Sequence, residues 1–119
     1  MTADAAKLRD SLHAAMPAAM KARDRRAVSA LRSALAAIAN AEAVEVGGEV
    51  RAGAIEASPV GVGAAEVARQ VLSEADVAAI VRAEIAERRA AAAAYEAAGH
   101  GERAAELVAE ADALAPYLR

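Results

Sequence analysis

Apolar side chains towards the C terminus recur every three or four positions, which is the spacing of one face of an α-helix. Ser73 and Asp76 form the capping-box pattern that predicts where a helix begins, and Gly99 supplies the left-handed residue that ends it. A second stripe follows, and Pro116 ends that helix. We therefore predict a helical hairpin over residues 73–118. Its two stripes are Val77, Ile80, Val81, Ile85, Arg88, Ala92 and Tyr95, then Leu107, Ala111, Leu114 and Leu118.

The N-terminal region carries two further stripes, which predict an antiparallel helix pair over residues 1–43. The first helix should run from about Asp4 to Ala22. Pro17 should kink it or break it into two short helices, because proline lacks the N–H of the helical ladder. Asp24 is placed to cap the second helix. The stripe residues are Leu8, Leu12, Met16 and Met20 in the first helix, and Val28, Leu31, Leu35 and Ile38 in the second.

Residues 44–72 differ in character and are predicted to connect the two hairpins. Gly47 and Gly48 stand between alternating valines, which is a β-hairpin signal, and further glycines with Pro59 make the segment too irregular for a helix. Such a connection is either a flexible linker or a small functional flap, and the sequence leaves both open. We predict a single all-α domain over residues 1–119, an irregular four-helix bundle built from two helical hairpins with a glycine-rich connector.

Alanine is the most frequent residue, and the chain contains no Phe, no Trp and no Cys. Alanine favours helices but buries little apolar area, so we expect modest stability and consider a homo-oligomer a candidate source of extra burial. The absence of Cys excludes disulfides, thiol nucleophiles and cysteine-based metal sites. Neither an apolar membrane span nor a secretory signal pattern is present in the sequence, so we expect a cytoplasmic protein without membrane contact.

Charge is distributed unevenly along the chain, although the net charge is only −3. Residues 1–40 hold seven Lys or Arg against three Asp or Glu, whereas residues 41–119 hold seven against fourteen. A basic patch can bind phosphates, contact an acidic protein, or be an ordinary solvated face. No aromatic side chains lie among these cations to stack on bases. The candidate nucleic-acid-binding residues are Lys21, Arg23, Arg25, Arg26 and Arg32.

Glu102, Glu106 and Glu110 are spaced four apart and share one face of the last helix. We predict a solubilising surface, and the chemical alternatives are a cation site or acid–base work by paired carboxylates. His13 and His100 lack neighbours at metal-ligand spacing, and no serine stands in a nucleophile motif. We therefore predict no catalytic residue, no cofactor and no metal site. The expected ion-pair partners of the glutamates are Arg82, Arg88 or Arg89 across the hairpin.

Short motifs follow one another in order along both hairpins. The N-terminal ones are Ala19-Met-Lys-Ala-Arg-Asp24, Ala30-Leu-Arg32 and Ile38-Ala-Asn-Ala-Glu42. The C-terminal ones are Leu72-Ser-Glu-Ala-Asp-Val77, Ile80-Val-Arg-Ala-Glu-Ile-Ala-Glu-Arg88, Tyr95-Glu-Ala-Ala-Gly99, Glu102-Arg103 and Glu110-Ala-Asp-Ala-Leu-Ala-Pro-Tyr-Leu118. Together they resemble the YqeY family, whose members are similar to the GatB tail domain of the glutamine-dependent aspartyl/glutamyl-tRNA amidotransferase.

The resemblance covers residues 8–43 and 71–118, and the sequence stops at Arg119, so we expect the usual C-terminal helical subdomain of the family to be lacking. The resemblance implies a non-catalytic accessory module. The module would be associated with a carbon–nitrogen ligase that uses glutamine as amido-N-donor. Its binding partner would be tRNA or an amidotransferase-type complex. The five candidate basic residues fall in the basic part of the shared motif. The alternatives are a helical protein-interaction or self-association module without RNA binding, and direct amidase activity, for which no nucleophile is placed.

Overall fold

The computed structural model describes the backbone of residues 2–54 and 71–119, and the side chains of residues 7–43 and 71–119. Within these ranges the chain forms four α-helices and a short 3₁₀-helix, so the predicted all-α bundle is confirmed. The helices are α1 (Thr2–Lys21), α2 (Arg25–Ala54), α3 (Glu74–Ala97) and α4 (Gly101–Leu114), followed by the 3₁₀-helix Ala115–Leu118.

One apolar core joins all four helices. α3 packs along α4, α2 contacts both of them, and α1 packs against α2 and α3. Leu12, Leu31 and Leu114 are almost completely shielded from water, and each such side chain stabilises the fold by about 1.5–3 kcal/mol. A smaller cluster around Leu107 lies near the α3–α4 turn. The main core consists of Leu8, Leu12, Ala30, Leu31, Ala34, Ile38, Leu72, Val77, Val81, Ile85, Ala111 and Leu114.

The predicted stripes supply this core, but some of their members turn away from it. Residues four apart advance by more than one helical turn, so successive members of the α1 stripe rotate by about 40° around the helix. Met20 is therefore 54% exposed, whereas Leu8 and Leu12 at the other end of the stripe are buried. Tyr95 at the end of the α3 stripe is exposed as well, with its ring edge-on to His100 in the following turn.

The ends of α3 are fixed by local hydrogen bonds, as the sequence predicts. The Ser73 hydroxyl accepts from the Asp76 N–H at 3.0 Å, and the Asp76 carboxylate accepts from the Ser73 N–H at 3.0 Å. At the other end Gly99 has φ +86°, and the His100 N–H donates to the Tyr95 carbonyl at 2.8 Å. This six-to-one bond across a left-handed residue is a Schellman motif. The predicted capping box and glycine stop are therefore both confirmed.

The turn between α1 and α2 uses the same motif with an arginine in the glycine position. Arg23 has φ +58°, the Asp24 N–H donates to the Ala19 carbonyl at 3.0 Å, and the Arg23 N–H donates to the Met20 carbonyl at 3.1 Å. Asp24 also caps α2, because its Oδ1 accepts from the Ala27 N–H at 3.1 Å. One residue thus closes α1 and opens α2, which makes a tight reversal with a non-glycine residue in a strained conformation.

Replacing the strained arginine by glycine is expected to stabilise the fold. A left-handed conformation costs an L-residue about 1–2 kcal/mol, and glycine loses part of that gain to its greater freedom in the unfolded chain. We therefore expect Arg23→Gly to raise the free energy of unfolding by about 0.5–1 kcal/mol in urea titrations. Arg32→Gly is the control, because it removes an exposed arginine from a helix interior and should lower that free energy by about 1 kcal/mol. Equal effects of the two substitutions would contradict this expectation.

The predicted connector begins later than expected, and its β-hairpin signal is wrong. We predicted residues 44–72 as the connector, but α2 continues through Gly47 and Gly48 to Ala54. Each glycine costs a helix interior about 1 kcal/mol, yet a helix that already exists extends without forming a new nucleus. Residues 55–70 of the predicted connector lie outside the described residues, and 71–73 are non-helical.

Pro17 does not break α1, which runs without interruption from Thr2 to Lys21. The alternative of two short helices is therefore wrong. Pro17 and His13 are both exposed, so the missing hydrogen bond lies on the solvent side of the helix, where water can replace it.

Candidate nucleic-acid interface

Four of the five predicted basic residues line one concave surface where α1 turns into α2. Arg23 comes from the turn, Arg25 and Arg26 from the first turn of α2, and Arg32 from two turns further along. Lys21 is exposed at the end of α1 and does not line this surface. We call the surface the basic groove. It encloses about 760 Å³ and is lined by Met20, Arg23, Arg25, Arg26, Val28, Ser29, Arg32, Ser33 and Ala36.

The groove has an apolar floor and a basic rim, because helical spacing brings alternate residue types to one side of α2. Arg25, Ser29 and Arg32 are exposed, outside the stripe of α2 that faces the core. Met20 and Val28 add apolar surface to the same lining, and we call this apolar part the floor and the arginines the rim. The arrangement offers guanidinium groups around a floor that carries few competing polar atoms.

The arginines of the groove differ in whether they form ion pairs with the protein's own carboxylates. Arg26 Nη1 lies 3.1 Å from Glu110 Oε2 and 3.6 Å from Glu106 Oε1, so two carboxylates of α4 already neutralise it. Within residues 7–43 and 71–119, Arg23, Arg25 and Arg32 make no ion pair. The last three are therefore the cations best placed to meet an external anion.

Arg26 belongs to a polar network that ties three helices together beneath the groove. Glu110 is only 4% exposed, and its second oxygen accepts from Arg88 Nε at 2.9 Å. Arg88 Nη1 also donates to Glu84 Oε1 at 2.8 Å, and the Ser33 hydroxyl donates to the same oxygen at 2.7 Å. Two arginines and two glutamates thus balance in charge between α2, α3 and α4.

The network also changes how strongly Arg88 holds its proton. Burial by itself lowers the pKa of an arginine, because it disfavours the charged form. For Arg88 the hydrogen bonds to Glu84 and Glu110 outweigh that effect, and the pKa lies above its ordinary value. The guanidinium is therefore a permanent cation in this layer, and its neutralisation depends on the two glutamates.

The predicted solubilising surface on α4 is wrong for Glu110 and holds for its neighbours. Glu102 and Glu106 are exposed, whereas Glu110 is buried with Arg88, one of its three predicted partners. A signal for this burial exists in the sequence, because Glu110 stands three residues after Leu107 and four before Leu114. The three glutamates spaced four apart therefore lead from solvent into the bundle and do not all lie on its surface.

Glu106 does not line the groove but lies beside Arg26, which does. Its Oε1 lies 2.9 Å from Arg103 Nη1, one turn away on α4, and 3.6 Å from Arg26 Nη1 on α2. The hydrogen bond from Arg103 holds the pKa of Glu106 below its ordinary value, and the nearby charges of Arg26 and Arg25 act in the same direction. Glu106 is consequently ionised at neutral pH and contributes a fixed negative charge beside the arginines.

The described side chains do not assemble a metal or nucleophile site. Among residues 7–43 and 71–119, no three His, Cys, Asp or Glu residues come together within metal-binding distance. His13 is exposed on α1, and His100 sits in the α3–α4 turn beside Tyr95. Among the helices that the structure describes, none combines the length and apolar character needed to cross a bilayer.

Comparisons with protein-family models, with curated proteins and with solved structures returned no match for this chain. The resemblance to the YqeY family therefore rests on the motifs quoted above and stays a prediction.

Proposed function

We propose that this protein is a non-catalytic accessory module that binds tRNA through its basic groove, as the tail domain of a tRNA-dependent amidotransferase would. The observation that carries the proposal is the set of three exposed arginines without an ion-pair partner among the described residues: Arg23, Arg25 and Arg32. Catalysis would belong to an amidotransferase-type partner, and the expected compartment is the cytoplasm.

The chemistry of the rim favours phosphodiester groups as the ligand. A guanidinium presents a planar fork of donors that matches phosphate oxygens and stays charged at any physiological pH. Several such cations on one surface suit a polyanion, because each neutralised phosphate releases counterions. The groove contains no aromatic ring, so bases have no stacking platform. Binding should therefore follow the RNA backbone and depend little on its sequence.

The backbone of Arg23 supports the same conclusion. The residue keeps a left-handed conformation in a motif that usually takes glycine, at a cost to stability. That conformation places an arginine at the junction of α1 and α2, beside Arg25 at the start of the groove. A residue that strains the fold and carries a cation is more readily explained by binding than by packing.

We expect tRNA binding to be steeply dependent on salt. The three free arginines, with one phosphate contact each, contribute about −2.7 to the slope of the logarithm of the association constant against that of salt concentration. Affinity should then fall by about 40-fold between roughly 50 and 200 mM salt. Fluorescence anisotropy with labelled total tRNA and with purified tRNA measures this slope. An absence of binding at the lower salt concentration would contradict the proposal.

Two matched variants show whether tRNA binding depends on the groove or on the net charge of the protein. Arg23→Gln/Arg25→Gln/Arg32→Gln removes the free cations, leaves Arg26 in its network, and should flatten the slope by about 2.7, which is the contribution of these three contacts. The control removes the same charge from exposed arginines outside the groove, and it should bind tRNA nearly as well as the wild type. Equal losses in both variants would mean that net charge, not the groove, determines binding. The control substitutions are Arg82→Gln, Arg89→Gln and Arg119→Gln.

A second candidate function is favoured by one observation, the exposure of Met20 on the groove floor. An apolar floor with a basic rim also fits an acidic amphipathic helix of a protein partner, which would place its apolar side on Met20 and Val28. Met20→Gln distinguishes the two functions. It should leave the salt slope for tRNA unchanged, because phosphates contact the rim, whereas it should weaken any helix that docks on the floor.

A further inference from the structure

Glu106 stands where a ligand of the basic groove would have to compete with the protein itself. Its carboxylate lies 3.6 Å from the guanidinium of Arg26, which lines the groove, and 2.9 Å from that of Arg103, which does not. The Arg26 side chain is 32% exposed and that of Glu106 47%, so an incoming phosphate can approach the same guanidinium from solvent. Glu110 holds Arg26 from the buried side at 3.1 Å. Arg26 thus has one fixed partner and one replaceable partner.

We propose that Glu106 is an internal competitor for the groove, which occupies Arg26 when the groove is empty and yields it only to a polyanion. The proposal rests on the proposed function and adds a selectivity device to the same site. Arg103 supplies the alternative partner, because Glu106 can keep its bond to Arg103 when it releases Arg26. Displacement therefore leaves no unpaired carboxylate.

The competition discriminates against ligands with a single phosphate. A carboxylate on the same chain faces Arg26 at a high effective concentration, which a free phosphate or mononucleotide at ordinary concentrations does not match. When Arg23, Arg25 and Arg32 already hold a polyanion, its next phosphate also faces Arg26 at a high effective concentration. RNA can therefore displace Glu106 from Arg26, whereas a single free phosphate cannot. Glu106 weakens tRNA binding slightly and excludes abundant small phosphates more strongly.

Glu106→Gln tests this role, with Glu102→Gln as the matched control. Glu102 is exposed one turn earlier on α4 and makes no ion pair within the described side chains, so both variants change the net charge equally. Glu106→Gln should bind labelled total tRNA about three- to tenfold more tightly, because RNA no longer has to displace a carboxylate from Arg26. The salt slope should stay close to that of the wild type, since Arg26 contacts a phosphate in both proteins. Glu102→Gln should change affinity by less than about twofold, through long-range charge alone.

The competition arm uses inorganic phosphate at constant ionic strength against bound tRNA. It should displace tRNA more readily from Glu106→Gln than from the wild type, because the single phosphate then has access to Arg26. Circular dichroism checks that both variants stay folded. Wild-type affinity for tRNA in Glu106→Gln, or equal changes in both variants, overturns this inference alone. Failure of the wild type to bind tRNA overturns the proposed function and this inference with it.

Discussion

Leu114→Asp is expected to leave the chain unfolded at room temperature. Leu114 is 0% exposed on α4 and belongs to the core shared by all four helices. An aspartate there would be a buried charge without a partner, and the burial of such a charge costs far more than the loss of the leucine side chain. Domains of this size are stable by about 5–15 kcal/mol, and an alanine-rich core belongs at the lower end. Circular dichroism and the dispersion of proton NMR signals measure the outcome.

Two companion variants show whether the cause is burial. Val108→Asp places the same charge on the same helix at a position that is 43% exposed, and it should change stability by less than about 1 kcal/mol. Leu114→Ala removes the side chain without adding a charge and should cost about 2–5 kcal/mol. Leu31→Asp should unfold the chain like Leu114→Asp, since Leu31 is 2% exposed. Native helicity and an unchanged melting temperature in both Leu→Asp variants would contradict the packing described here.

The helix boundaries that the sequence predicts correctly depend on a few neighbouring residues. The capping box of Ser73 and Asp76 and the left-handed Gly99 involve contacts within six positions, so a local pattern contains all the information. The same holds for Asp24, which caps α2 three residues away. Such signals do not depend on which helix packs against which.

The helix boundaries that the sequence predicts wrongly depend on competition between the local preference of a residue and the extension of an existing helix. Gly47 and Gly48 disfavour a helix by themselves, but α2 reaches them as a helix already anchored by Leu31 and Ile38 in the core. Pro17 is tolerated for a similar reason, since α1 is held on both sides of it by Leu12 and Met16 before it and Ala19 after it. The helix propensity of a single glycine or proline therefore overestimates how far that residue disrupts a helix.

In the basic groove too, features set by neighbouring residues are predictable from the sequence, and features set by helix packing are not. Arg23, Arg25 and Arg32 are close in sequence, so their clustering at the α1–α2 turn follows from charge and helical spacing alone. The pairing of Arg26 with Glu110 joins residues that are 84 positions apart, and it depends on how α4 lies against α2. No local pattern predicts that pairing. Sequence alone therefore counts five equivalent cations, whereas the fold ties Arg26 to Glu110 and leaves the other groove arginines without an ion pair among the described residues.

Glu110→Gln is expected to be the most destabilising single change among the charged residues. The glutamate is nearly inaccessible and accepts bonds from Arg26 and Arg88 on two different helices. Removal of its charge leaves Arg88 in a partly buried site with only Glu84 to neutralise it, and breaking a buried pair in this way costs about 3–5 kcal/mol. Because Arg26 is partly exposed, solvent offsets some of the loss, and we expect about 3 kcal/mol.

Urea denaturation of Glu110→Gln beside Glu102→Gln measures this effect against a control of equal charge. Glu102 is exposed on the same helix, so its substitution should change the free energy of unfolding by less than about 0.5 kcal/mol. Glu110→Gln should lower the melting temperature by roughly 10–20 °C for a chain of this length. Equal stability of Glu110→Gln and Glu102→Gln would show that the three helices are held by their apolar contacts and that the network only orients Arg26.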